Sequence, residues 1–96
     1  MAVLSQKEIQ QHLSEMSGWI FVDNSIERQF EFPNFGAAMK FVNRVAEAAE
    51  EANHHPDIDI RYSKVKISLT SHDSGGVTSR DLRLAKKIAE IAANQL

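Results

Sequence analysis

Residues 34–69, NFGAAMKFVNRVAEAAEEANHHPDIDIRYSKVKISL, decide the fold, because the spacing of their apolar residues changes period partway through. Asn34 is a good helix N-cap. Phe35, Ala38, Met39, Val42, Val45, Ala46 and Ala49 then follow at steps of three and four, which marks one buried face on a helix of about 17 residues. Pro56 disfavours helical backbone at His55, so the helix should end near Asn53 or His54. Beyond it Ile58, Ile60 and Tyr62 alternate with Asp57, Asp59 and Arg61. After Ser63, Val65, Ile67 and Leu69 alternate with Lys64, Lys66 and Ser68. A period of two implies two strands with one dry face each, most simply antiparallel neighbours. The alanines of the helix stripe suit packing against a sheet, and as a second reading would admit another helix closely at a subunit contact.

Toward the N-terminus, Ser5 with Glu8 three residues later matches a capping box, and Ile9, Leu13 and Met16 recur at helical spacing, predicting a helix over residues 5–15. Gly18 closes it. Trp19-Ile20-Phe21-Val22 is a short apolar run bounded by Asp23-Asn24-Ser25, a turn composition, so a hairpin follows. In its second strand Ile26, Phe30 and Phe32 share one face while Glu27, Gln29 and Glu31 take the other, with Arg28 the exception on the apolar side; Pro33 ends it. Toward the C-terminus, residues 71–76 (SHDSGG) form a loop by composition. Thr78 with Asp81 repeats the capping logic and opens a last helix through Leu82, Ala85, Ile88, Ala89 and Ala92. The order is helix, strand, strand, helix, strand, strand, helix, which defines the α+β class.

Length and composition bound what such a scaffold can do. Ninety-six residues with 43% hydrophobic and 25% charged content fit one domain over residues 1–96 with one core. The chain has no cysteine, which argues against a disulfide scaffold, thiol catalysis and a zinc-thiolate site. A small core without a disulfide makes oligomerisation a reasonable expectation. A formal net charge of −2 with both signs interspersed gives no long-range attraction for nucleic acid. The start of the chain lacks the basic head and apolar run of a secretory signal, and no apolar segment approaches the roughly 20 residues that span a bilayer. A cytoplasmic protein away from the membrane is expected.

Three of the four histidines, His54, His55 and His72, fall where a helix stops and where a strand gives way to a loop. Histidine gives and takes protons near neutrality, so two imidazoles meeting across the helix end and the strand end could flank a substrate as acid and base. A capping or surface role for the pair before Pro56 is the plainer alternative. Three histidines with Glu50 or Asp57 would also suit zinc, although sequence neighbours rarely ligate one ion. His12 reads as solvated and Trp19 as core or interface. Asp81 reads first as a helix cap and second as a holder of a histidine or ligand.

Glu50-x3-His54-His55-Pro56-x5-Tyr62-x9-His72-x8-Asp81 resembles the signature of the pterin-4a-carbinolamine dehydratases, whose vertebrate members also act as dimerisation cofactors of a homeodomain transcription factor. Residues 41–46 (FVNRVA), 78–81 (TSRD) and Leu84-Ala85 extend the similarity over nearly the whole chain. The resemblance implies a four-stranded antiparallel sheet with three helices on one face. It also implies dehydration of a 4a-hydroxytetrahydropterin, released by an aromatic amino acid hydroxylase, to the quinonoid dihydropterin. By position His54, His55 and His72 would be the active-site histidines. His54 and His72 would then serve as the acid-base pair; His55, Pro56, Asp57, Arg80 and Asp81 would bind the pterin, and Glu50 and Asn53 would support, Glu50 by orienting His54. No metal and no bound cofactor are implied. A homodimer joined through its sheets, or a homotetramer built on the long helix, would be the assembly. Asn53 stands where many relatives carry Asp, and Ile58 where vertebrate members have Trp, departures that weaken charge support for His54 and stacking on the pterin. A non-catalytic dimerisation or coactivator-type binding module is the alternative.

Overall fold

A computed structural model describes residues 2–95. The elements are α1 (Gln6–Leu13), β1 (Ile20–Val22), β2 (Ser25–Glu31), α2 (Phe35–Ala52), β3 (Asp57–Arg61), β4 (Lys64–Leu69) and α3 (Ser79–Gln95). The four strands form one antiparallel sheet in the order β1-β2-β4-β3. The expected α+β architecture, with three helices on one face of the sheet, is what the chain adopts.

Register explains why one face is dry. Ile26 pairs with Leu69, Arg28 with Ile67 and Phe30 with Val65, while Ile58 and Ile60 of β3 pair with the same Ile67 and Val65. These side chains therefore share a face, and Ile26, Val65, Ile67 and Leu69 are fully buried there with Ile9 of α1, Phe41 and Val45 of α2 and Ile88 of α3. Phe41 meets Phe30 and Phe32 with ring centroids 4.9 Å apart in each case. Arg28 escapes burial of its charge by lying over the Phe30 ring, 4.4 Å from its centroid.

Two expectations need correction. The first helix is shorter than the span 5–15: after Leu13 the bonds tighten, Glu15 N–H donating to His12 C=O and Met16 N–H to Leu13 C=O, before Gly18 at φ 88° turns the chain. The dry face of β3 is incomplete as well. Ile58 is half-buried, Ile60 is exposed, and Tyr62 is 70% exposed because it belongs to the turn between β3 and β4, at φ 54°. Alternation identifies a strand, but β3 lies at the sheet edge, where helix cover runs out.

The junction that positions the site is the end of α2. Asn53 takes left-handed backbone, φ 50° and ψ 43°, a conformation asparagine tolerates better than most residues. Its N–H donates to Glu50 C=O at 3.2 Å and the N–H of His54 to Ala49 C=O at 3.1 Å, the paired bonds of a Schellman motif. The chain thus reverses over one residue, and His54 and His55 leave the helix in different directions.

Candidate active site

His54 turns inward and is 8% exposed. Its Nε2 lies 2.5 Å from Oδ1 of Asp81, which is fully buried at the start of α3. The other carboxylate oxygen, Oδ2, accepts from the Thr78 backbone N–H at 2.9 Å and from the Ser71 hydroxyl at 2.8 Å. Asp81 is therefore a helix cap and a histidine holder at once, one oxygen for each task. A buried carboxylate is tolerable only when so satisfied, and the positive end of the α3 dipole adds to the donors. Ser71 and Thr78, both fully buried, complete the network with hydroxyl oxygens 2.8 Å apart. Ser71 carries no signal in the sequence beyond lying next to His72; Thr78 is legible only as a cap.

His55 turns outward and bonds through Nε2 to Oε2 of Glu50, on the preceding turn of α2. The expected link from Glu50 to His54 is thus not made. Had the helix continued, the two would have been stacked four residues apart, but the left-handed step at Asn53 exchanges the partners. His72, in the loop after β4, is exposed and makes no side-chain hydrogen bond among the described residues.

All three histidines line one cleft of about 250 Å³, with Asn53, Thr70, Asp73 and Arg80. Arg80 Nη2 donates to Asp73 Oδ1 at 2.5 Å and to the Ser74 hydroxyl at 3.3 Å. The guanidinium holds the Asp73 carboxyl below the usual carboxylate range, and the Asp73 hydrogen bond pushes the Arg80 guanidinium above its ordinary value. Pro56 and Asp57 are not among the lining residues. Alternation along β3 turns Asp57 to the outer sheet face, into a separate groove with Glu27, Lys66 and Ser68. Ile58 packs against the core. Asp81 stands behind His54 and reaches the cleft only through that ring. Among the described residues no three His, Cys, Asp or Glu side chains are grouped to hold a metal ion, and no helix is long and apolar enough to cross a membrane.

An α+β scaffold presenting imidazoles from a helix end and a strand end, with carboxylates bonded to two of them, is a framework for proton transfer to a small ligand. The sequence profile of the family described as pterin 4 alpha carbinolamine dehydratase matches residues 2–91. Proteins of Koribacter versatilis and Thermomicrobium roseum, each provisionally named a pterin-4-alpha-carbinolamine dehydratase, are 54% and 52% identical. Those matches cover 92% and 97% of this chain and 94% and 100% of theirs. A crystal structure described as a transcriptional coactivator/pterin dehydratase from Brucella melitensis superposes with a TM-score of 0.90 at 35% identity, over 94% of this chain and 98% of that one. The chain belongs to the pterin-4-alpha-carbinolamine dehydratase family.

Proposed function

We propose that this single domain dehydrates a 4a-hydroxytetrahydropterin to the quinonoid dihydropterin and water. In that reaction the C4a–O bond breaks, N5 loses its proton, and a C4a=N5 double bond forms. An acid must reach the departing hydroxyl and a base the N5 hydrogen, on adjacent atoms of one bicyclic ring system. The observation that carries the reading is the meeting of His54, His55 and His72 in one cleft, with two of the rings bonded to carboxylates.

The hydrogen bonds support one assignment of roles. A neutral His54 that donates its Nε2–H to Asp81 leaves Nδ1 as the acceptor for the N5 proton, and Asp81 compensates the imidazolium that results. His72 has no partner among the described residues and is exposed, so its protonated ring is free to follow the hydroxyl and release it as water. His55, steered by Glu50, holds the pterin with Arg80. Asn53 contributes through backbone and cleft wall, and the carboxylate that His54 meets is Asp81.

In the cell this activity would return the pterin used by an aromatic amino acid hydroxylase to its recycling route, in the cytoplasm. We further propose a homodimer or homotetramer, consistent with the uncovered β3 edge and with exposed Phe35, Ile60 and Tyr62. The Brucella protein is described as a transcriptional coactivator as well as a pterin dehydratase, which raises a second reading, a coactivator-type binding module. Decay of synthetic 4a-hydroxytetrahydropterin, followed by absorbance, separates the two. His54→Ala and His72→Ala should each lose about 10²- to 10⁴-fold in rate with circular dichroism unchanged, and His55→Ala about tenfold. Wild-type rates in both of the first two variants would refute the enzymatic reading and leave the binding module.

A further inference from the structure

The histidine cleft does not end at His54 and Arg80. Both residues also line a second, larger basin of about 400 Å³ between α2 and α3, so that the two depressions adjoin at these side chains. Its floor is apolar, with Ala48, Ala52 and Leu84. Its α3 wall presents Arg80, Arg83 and Lys87, at spacings of three and four residues and therefore on one side of the helix, against a single carboxylate, Glu51 of α2. Arg80 is paired with Asp73, but Arg83 and Lys87 have no ion pair among the described residues. Arg83 and Lys87 are thus cationic donors that the histidine chemistry does not use.

We infer that this basin is a subsite for an anionic substituent on the pterin, a phosphate monoester or a carboxylate, and that the protein prefers pterins carrying one. The inference rests on the dehydratase reading. With C4a and N5 between the histidines, C6, the ring atom bonded to N5 that bears the variable substituent, lies at the edge of the reacting centre. In the pose proposed, a substituent there leaves the histidine cleft at the side where His54 and Arg80 also line the larger basin. The ring system carries no anionic group to answer Arg83 and Lys87, whereas a phosphate or carboxylate substituent would. Arginine with a neighbouring lysine suits the planar fork and point-charge contacts of either anion.

The test uses the full chain and three 4a-hydroxytetrahydropterins that differ only at C6: hydroxymethyl, its phosphate monoester, and a carboxylate-bearing analogue. Dissociation constants of the corresponding oxidised pterins are measured by fluorescence quenching. Exposed charge pairs contribute little singly, so two of them together predict KM and Kd about tenfold lower for the charged compounds. In the Arg83→Gln/Lys87→Gln variant, or at high salt, the ratio should fall to about one. Glu51→Gln, which removes the opposing carboxylate, should widen it. A preference for either the phosphate or the carboxylate upholds the subsite and identifies its ligand. A ratio of one in the wild type, or a ratio the double variant leaves unchanged, overturns it. Turnover of all three compounds with a ratio of one removes the subsite and keeps the dehydratase. Absence of turnover with the Kd preference intact does the reverse.

Discussion

His54 and His55 are neighbours in sequence, each bonded through Nε2 to a carboxylate, yet the two pairs are physically different objects. The side chains of His54 and Asp81 are 9% and 0% exposed, whereas those of His55 and Glu50 are 58% and 76% exposed. The buried carboxylate is held by the His54 ring and by two further donors, from the α3 cap and the loop after β4, and the exposed one by a single ring. An identical chemical pairing thus fixes one histidine rigidly and only steers the other. Burial decides which, and the backbone at Asn53 decides burial.

The comparison is broken most directly by removing the carboxylates one at a time. Asp81→Ala leaves the His54 ring, the Ser71 hydroxyl and the Thr78 N–H buried without their acceptor, and should cost about 3 kcal/mol of stability. Glu50→Ala exposes nothing new and should cost under about 1 kcal/mol. Urea unfolding of both variants measures the difference, and equal losses would show that the two pairs are equivalent after all.

A smaller effect is expected at the residue that separates the rings. Asn53→Val places a β-branched side chain at positive φ and should lower stability by about 1 to 2 kcal/mol, while Asn53→Gly should be neutral to within a few tenths. Thermal melts decide this, and a Val variant as stable as Asn53→Gly would mean that the left-handed step carries no strain.

The smallest effect is a pH dependence at the cleft rim. Arg80 keeps the folded-state pKa of Asp73 below the usual carboxylate range, so its contribution to stability is present above the ordinary carboxylate pKa. It is lost as pH falls through the lowered folded-state value. The urea midpoint of Asp73→Asn should therefore lie slightly below that of the wild type at about pH 6, and the gap should close in strong acid. A gap of constant size would assign the effect to something other than this proton.

Much of this architecture can be read from the residues because each element announces itself locally. Asn34 does accept from the Ala37 N–H, Ser5 and Glu8 do form their reciprocal box, and the alternation of Val65, Ile67 and Leu69 does give a fully buried row. The convergence of three histidines is legible from where they fall relative to the helix and strand ends. What the sequence hides is anything decided by a single backbone step or by distance in space. The exchange of partners between Glu50 and the two histidines depends on the torsions of Asn53, and helical spacing across that residue points to the wrong ring. The exposure of Ile60 depends on β3 being outermost, which alternation does not encode. Ser71 joins the site through a carboxylate ten residues away whose capping role is explanation enough in the sequence alone.

That carboxylate ties two properties that a protein could otherwise adjust separately. Because one oxygen of Asp81 anchors the beginning of α3 and the other anchors an imidazole, whatever frays the first turn of the helix also sets the ring adrift. Catalytic geometry and local order at this point should thus rise and fall together, and a search for faster variants that relaxes this corner will find looser ones as well.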